Sequence, residues 1–327
     1  MTRGISRWAA LVSLLVLTTG LVFATGTAEI AGPAETEPAT GPYPMDVTDS
    51  VGNTMTIATK PQSIVSLSLF SDEVLYDLVD VERLAGASSL AADPVYSNVA
   101  EEAAAVEPRV DFNVEQIIAI YPDVVFAANW SEADKIQQLR DAGIVVYQVN
   151  TPFSVAGIKT EIRAVANVVG EPEAGEAIIA RMEQRIDALS DAVGGIPESG
   201  RAQAVDYNNW GTANGVDTTW DEVLRLAGVG NAAAPFQSGD FGQVPMSKEL
   251  LVELDPEVIF LPGYIWGEEN GADAFRNQVL EDPAFADLQA IAGGDVYMVP
   301  ENLKGTYSHY LVDAAEFVAR LVYPDRF

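Results

Sequence analysis

The feature that most limits what this chain can fold into is a repeat. Residues 113–127 and 247–261 carry one pattern 134 positions apart. Glu115 falls on Glu249, Ile117 on Leu251, Pro122 on Pro256, and Val124, Val125 and Phe126 on Val258, Ile259 and Phe260. Each copy reads as an N-cap residue (Asn113 or Ser247), a short helix, a proline-bearing turn and a buried strand. Between the copies runs Glu173 to Val193, in which Ile178, Met182, Ile186, Leu189 and Val193 follow one another at helical spacing. Gly194, Gly195 and Pro197 close that helix. At 1.5 Å per residue it spans about 31 Å, roughly a small domain's diameter. Alone it would pass for an ordinary surface helix. Flanked by two like units, it predicts two lobes joined by a strut.

Around the repeats, strands and helices alternate. A turn marked by Asp49, Gly52 and Asn53 precedes an edge strand at 55–57. Strands are expected at 63–67, 84–87, 144–148, 203–207 and 295–299. Helices are expected at 72–79, 132–142, 155–169, 219–227, 283–291 and 310–322. Alternation at this spacing predicts an α/β fold of parallel sheets covered on both faces. The 327 residues suffice for two ordinary domains.

The N-terminus reads separately. Arg3 and Arg7 precede an uncharged run from Trp8 to Ala24, and small residues follow. That is a secretory signal peptide (1–28), cut at Ala24 or Ala28, with an uncleaved anchor as the alternative. Residues 29–44 hold four prolines and no apolar period, a flexible linker. The lobes then fall at 45–170 and 196–327, with the connecting helix at 171–195. There is no cysteine, hence no disulfide and no lipid-anchor thiol. These features place the protein free in a periplasm-like space. A formal net charge of −30 argues against nucleic acid or an anionic membrane as partner.

Several motifs are weighed and set aside. Gly228 to Ala233 matches a dinucleotide fingerprint in letters, but a helix precedes it where a strand is required, so Gly228 reads as a helix C-cap. Nucleophile elbow, zinc-protease and P-loop patterns do not occur. His309 is the only histidine, and no metal site is assigned. The abundant carboxylates read as a solvated acidic surface, since nothing singles out a glycosidase pair.

Ligands of open α/β sheets bind beyond the carboxyl ends of the strands. There the chain places Ser68 and Phe70, then Asn129 and Trp130, then Tyr207 and Trp210, then Tyr264 and Trp266, and finally Lys304 and Tyr307. Each ring alone could be a loop aromatic packed on its own lobe. Three of the five tryptophans at such positions, in both halves, predict a shared aromatic-walled cleft. Arg109 and Lys304 read either as solvated cations or as contacts for a ligand's acidic group.

Taken in order, several stretches resemble one family. They are Asp49 with Gly52, Lys60 to Leu67, Asn113 to Asp123, Leu139 to Ile144, Leu226 to Asn231, Ser247 to Pro256, and Val296 to Pro300. From about residue 45 onward the chain is similar to the periplasmic solute-binding proteins of ABC importers for iron-siderophores, haem and cobalamin. The resemblance implies two Rossmann-like lobes, each with a central parallel sheet, joined by one long helix, with little closure on ligand. It implies that Glu115 and Glu249, one per lobe, dock on arginines of an inner-membrane permease dimer. A sister group that binds bare zinc or manganese uses several histidines, and this chain has one.

The expectation from sequence is a monomeric, non-enzymatic binding protein with no permanently bound cofactor. Its first-choice cargo is an iron(III)-siderophore-type chelate, followed by cobalamin (a corrinoid) and then haem, which would need His309 or a tyrosine as axial ligand. An extracytoplasmic hydrolase or a receptor-docking sensor on the same architecture are the alternatives of another class.

Overall fold

A computed structural model describes residues 42–327. The expected signal peptide and almost all of the expected linker lie outside those residues. Strands β1 (Met45–Thr48) and β2 (Thr54–Ile57) form an antiparallel hairpin. The Asp49 carboxylate shapes its turn by accepting the Asn53 amide at 2.8 Å, with Gly52 at φ +89°.

The first lobe then runs β3 (Ile64–Ser66), α1 (Leu69–Leu78), β4 (Leu84–Gly86), α2 (Ala100–Ala103), α3 (Val114–Ile120), β5 (Val124–Ala128), α4 (Ala133–Asp141), β6 (Val146–Val149) and α5 (Val155–Val169). The long helix α6 (Pro172–Val193) follows. The second lobe comprises β7 (Gln203–Asp206), β8 (Thr212–Asn214), α7 (Thr219–Leu226), β9 (Gly230–Asn231), β10 (Gln243–Pro245), α8 (Lys248–Leu254), β11 (Val258–Pro262), α9 (Gly271–Glu281), α10 (Gln289–Gly293), β12 (Val296–Val299), α11 (Glu301–Lys304) and α12 (Leu311–Val322).

Each lobe holds a four-stranded parallel sheet, ordered β4-β3-β5-β6 in one and β9-β7-β11-β12 in the other. The order is the same in chain terms, so the lobes are two copies of one unit. The repeat read from sequence is its centre. Helices α3 and α8 have corresponding bounds, as do β5 and β11, whose every residue is buried. Asn113 and Ser247 cap their helices through side-chain oxygens, and Tyr121 and Asp255 end them in left-handed backbone.

Helix α6 presses Ile178, Ile179, Met182, Leu189 and Val193 into a core that takes in α1 and α5 of one lobe and α7 and α12 of the other. The two lobes thus share apolar packing along the strut. Gly175 permits close approach of α5, since a Cβ there would lie 2.6 Å from that of Ala166. Arg185 adds hydrogen bonds from α6 to Asp313 and Glu316 on α12. At the start of α6, buried Arg83 donates to the carbonyls of Pro61 and Val169 and to the Glu171 carboxylate.

Several expectations need correction. Helix α1 begins at Leu69, because Ser68 accepts the Ser71 amide and caps it there. The helix expected at 283–291 is a turn that the Asp282 carboxylate holds by accepting the Ala284 amide, and α10 starts only at Gln289. Helix α9, masked in sequence by its glycine-rich approach, and the β8–β10 ribbon were not foreseen. Gly228 does follow α7 with φ +71°, and Gly230–Asn231 continue as an edge strand. Among the described residues no helix is long and apolar enough to cross a membrane.

Candidate functional site

Every strand of the two sheets points its carboxyl end into loops, and contacts between these loops show that the two ends face each other. Tyr96, after β4, meets Tyr264 and Trp266, after β11, at ring-centroid distances of 5.7 and 6.2 Å. Phe153, after β6, meets Tyr307, after β12, at 6.1 Å. Strands β4 and β6 are the outermost of their sheet, so the two aromatic bridges spring from opposite edges. Three strand spacings, about 14 Å, separate those edges.

Between them runs a polar seam. Glu73 on α1 accepts the Asn98 amide at 3.0 Å and the Asn98 side chain at 2.7 Å, and its other oxygen accepts the Ser308 hydroxyl at 2.5 Å. Asn98 and Asn302 hydrogen-bond reciprocally across the lobes, at 2.9 and 3.0 Å. Burial pushes the Glu73 carboxyl above its ordinary value, and these donors oppose the rise. Next to it, the wholly buried Asp72 is pushed up to about 7, chiefly by burial, although Ser88 donates to it at 2.6 Å.

The indoles foreseen from sequence stand in the open at the strand ends: Trp130 is 76% exposed, Trp210 81% and Trp266 76%. Trp130 Nε1 donates to Thr151 Oγ1 at 3.2 Å, and Asn129 bonds Asn150 and Thr151 beside it. Asn208 orients the Trp210 turn by accepting its amide at 3.1 Å. Tyr264 and Tyr307 take part in the two bridges. Ser68 is half-buried, its hydroxyl bonded to Ser71 as the cap of α1.

Four foreseen residues are placed otherwise. Tyr207 is only 8% exposed and packs on Phe275 and Phe285, because its side chain alternates inward into the second lobe's core. Phe70 turns into the first lobe's core on the buried side of α1. Arg109 donates to the Ala103 carbonyl within its own lobe. Lys304 lies 3.1 Å from the buried Asp206 carboxylate and over the Trp220 ring, with its side chain 11% exposed. His309 is buried, Nε2 3.2 Å from Asp77 Oδ2, where it holds that carboxyl below its usual value. Among the described residues no cluster of potential ligands could hold a metal ion.

Sequence reasoning missed Tyr96 and Phe153. Both follow strands, Tyr96 ten residues beyond the end of β4 and Phe153 four beyond the end of β6. The residues of the polar seam, Glu73, Asn98, Asn302 and Ser308, gave no pattern to read, since they come together only when the lobes do.

This geometry has known counterparts. Residues 64–303 match the family described as "Periplasmic binding protein". The chain belongs to that family. Periplasmic binding proteins carry solutes without transforming them. The uncharacterized ABC transporter substrate-binding lipoprotein YvrC of Bacillus subtilis is 26% identical to this one over 331 residues, spanning 98% of this chain and 97% of that protein. A cobalamin-binding protein of Halobacterium salinarum is 26% identical over 222 residues, 66% of this chain and 58% of that one. In fold, this periplasmic binding protein is similar to Haemophilus influenzae MolA bound to molybdate. The TM-score is 0.70 at 21% identity, over 86% of this chain and 92% of that one.

Glu115 and Glu249 sit at corresponding places in the first turns of α3 and α8, both exposed. Glu249's own backbone amide and, after it, the Ser247 hydroxyl hold the Glu249 carboxyl below its ordinary value.

Proposed function

We propose that this protein is the solute-binding subunit of an ABC importer, and that it holds a corrinoid of the cobalamin type between its lobes. The observation that carries the choice of cargo is the fate of the two foreseen cations. Lys304 faces the buried Asp206 carboxylate and Arg109 donates to the Ala103 carbonyl, so each already holds a contact within its own lobe before a catecholate or a propionate arrives. What the strand ends offer is ring surface: three open indoles and two aromatic bridges. A corrinoid suits such walls, because it presents a broad ring face fringed by uncharged amides, and stacking needs no counter-charge. The cobalamin-binding relative points the same way. An iron chelate, the first choice on sequence alone, ranks second on this reading. Haem falls behind because the one histidine is buried beside Asp77, which leaves axial ligation to a tyrosine such as Tyr264 or Tyr307.

The same reading puts the protein outside the cytoplasmic membrane as a monomer. Glu115 and Glu249 then meet arginines on the two halves of a permease. Calorimetric titration with cyanocobalamin, a ferric trihydroxamate, haem and molybdate tests the cargo. Tight binding of cyanocobalamin alone is expected. Tight binding of the ferric chelate with none of cyanocobalamin overturns it.

A further inference from the structure

The β8–β10 ribbon carries a ring that the protein's own packing does not explain. Phe241 is 95% exposed, and its backbone is left-handed at φ +55°. A phenylalanine there forgoes burial and holds a conformation that glycine or asparagine takes more easily. Residues kept in such conformations cluster where a partner is gripped.

The turn that presents the ring is firmly built. The Gly215 amide donates to the Gly242 carbonyl at 2.8 Å, and the Gly239 amide to the Gln243 carbonyl at 2.8 Å. Gly242 packs so closely on Thr218 that a Cβ would lie 2.3 Å from its methyl group. The Gln243 side chain bonds Asn214 at 2.7 Å and Thr212 at 2.6 Å, and Asp206 holds Asn214 through both its amide and its side chain.

Three connections tie this turn to the elements that border the cleft. The ribbon leaves its lobe from the carboxyl end of β7. The Asp206 that grips the ribbon is the carboxylate facing Lys304. Thr218, packed against Gly242, caps α7, and one turn along that helix Glu222 accepts the Val155 amide across the lobe boundary at 3.2 Å.

We infer that Phe241 is a preformed rim contact for cargo large enough to reach the mouth of the cleft, acting with Trp210 at the other end of the same ribbon. The three residues of β8 separate the two ends by about 10 Å, a span that suits a macrocycle and exceeds a bare oxyanion. A turn already built where the cargo will lie loses little backbone freedom on binding. The inference rests on the corrinoid reading of the site and extends it to the residue that measures cargo size.

Phe241→Asn and Phe241→Ala test it, with cyanocobalamin as the probe. Asparagine accepts left-handed backbone, so Phe241→Asn should keep or raise the melting temperature. Both variants should nonetheless weaken cyanocobalamin binding at least five-fold, mainly through faster dissociation. Wild-type affinity in both variants overturns the inference and leaves the proposed function standing. Unchanged affinity with lost uptake in a reconstituted importer assigns the ring to the permease and also overturns it. If the wild-type protein takes no cyanocobalamin at all, the proposed function falls and the inference with it.

Discussion

Lys304 Nζ lies 3.1 Å from Asp206 Oδ2 at the carboxyl end of β7, with both side chains almost wholly inside the protein. Asp206 also accepts the amide and side chain of Asn214, at 2.7 and 2.6 Å. The pair therefore ties α11 and the β8–β10 ribbon to the second lobe's sheet, and the lysine's charge is answered before any cargo arrives.

Replacing Lys304 by methionine should leave Asp206 buried without its cation. Breaking a buried pair costs about 3–5 kcal/mol, and the retained Asn214 bonds bring the expected loss to about 2–3 kcal/mol. Urea unfolding of Lys304→Met, Asp206→Asn and the double variant gives the coupling. A double variant more stable than Lys304→Met is expected. A fully stable Lys304→Met that loses only ligand affinity would show the lysine to be a ligand contact instead.

Gly175 tests the packing of the strut. Alanine in a helix interior gains about 0.5–1 kcal/mol over glycine. At this position its methyl would stand 2.6 Å from the Cβ of Ala166, and overpacking of that kind costs about 1–3 kcal/mol. Gly175→Ala should thus be destabilising by about 1 kcal/mol, and adding Ala166→Gly should relieve the clash. Thermal unfolding of the single and double variants measures both. A more stable Gly175→Ala would mean that α5 and α6 are not closely apposed.

Asp72 gives a pH signature. Its folded pKa, about 7, exceeds the ordinary 3.8, so between those values the folded state holds the proton more tightly than the unfolded one. Its contribution to stability is complete below pH 3.8 and is lost as the pH rises through 7. Asp72→Asn removes that dependence while keeping an acceptor for Ser88. The stability of wild type relative to Asp72→Asn should fall between pH 5 and pH 8, by a few kcal/mol at most. Parallel curves for the two proteins in urea would show that Asp72 titrates normally.

Glu115 and Glu249 are exposed, and each sits in a first helical turn, where the helix dipole already favours a carboxylate. Charge reversal separates that local role from docking. The Glu115→Arg, Glu249→Arg double variant should bind cargo normally and lose uptake in a reconstituted importer. Wild-type docking should also slow as salt is raised. Uptake that survives the double reversal returns both residues to simple helix-end electrostatics.

How much of this was legible in the sequence follows from the range of the interactions involved. The strut and the paired units were readable because helical spacing, N-caps and β-branched runs are local patterns. Asp123 and Glu257 show the same regularity at atomic detail. They hold one repeat position, and each carboxylate accepts an amide at the start of its lobe's first strand: Gln62 and Ser63 in one lobe, Gln203 in the other. The candidate site was half legible. Strand-end position located Trp130, Trp210 and Trp266, but alternation of side chains across a strand end sent Tyr207 inward. Nothing near Lys304 in sequence announces Asp206, which lies about a hundred residues earlier. Phe241 was hidden for a related reason. Its ribbon consists of two three-residue strands, too short for a period to show.

The most direct test of the whole account is a crystal structure of the protein with cyanocobalamin bound. It should show the corrin held between the strand-end loops of the two lobes, with Trp210 and Trp266 against it. The Glu73–Ser308 and Asn98–Asn302 hydrogen bonds should remain intact, since lobes that share a core through α6 have little freedom to swing. A corrin bound outside the cleft, or lobes rotated so that this seam is broken, would contradict it.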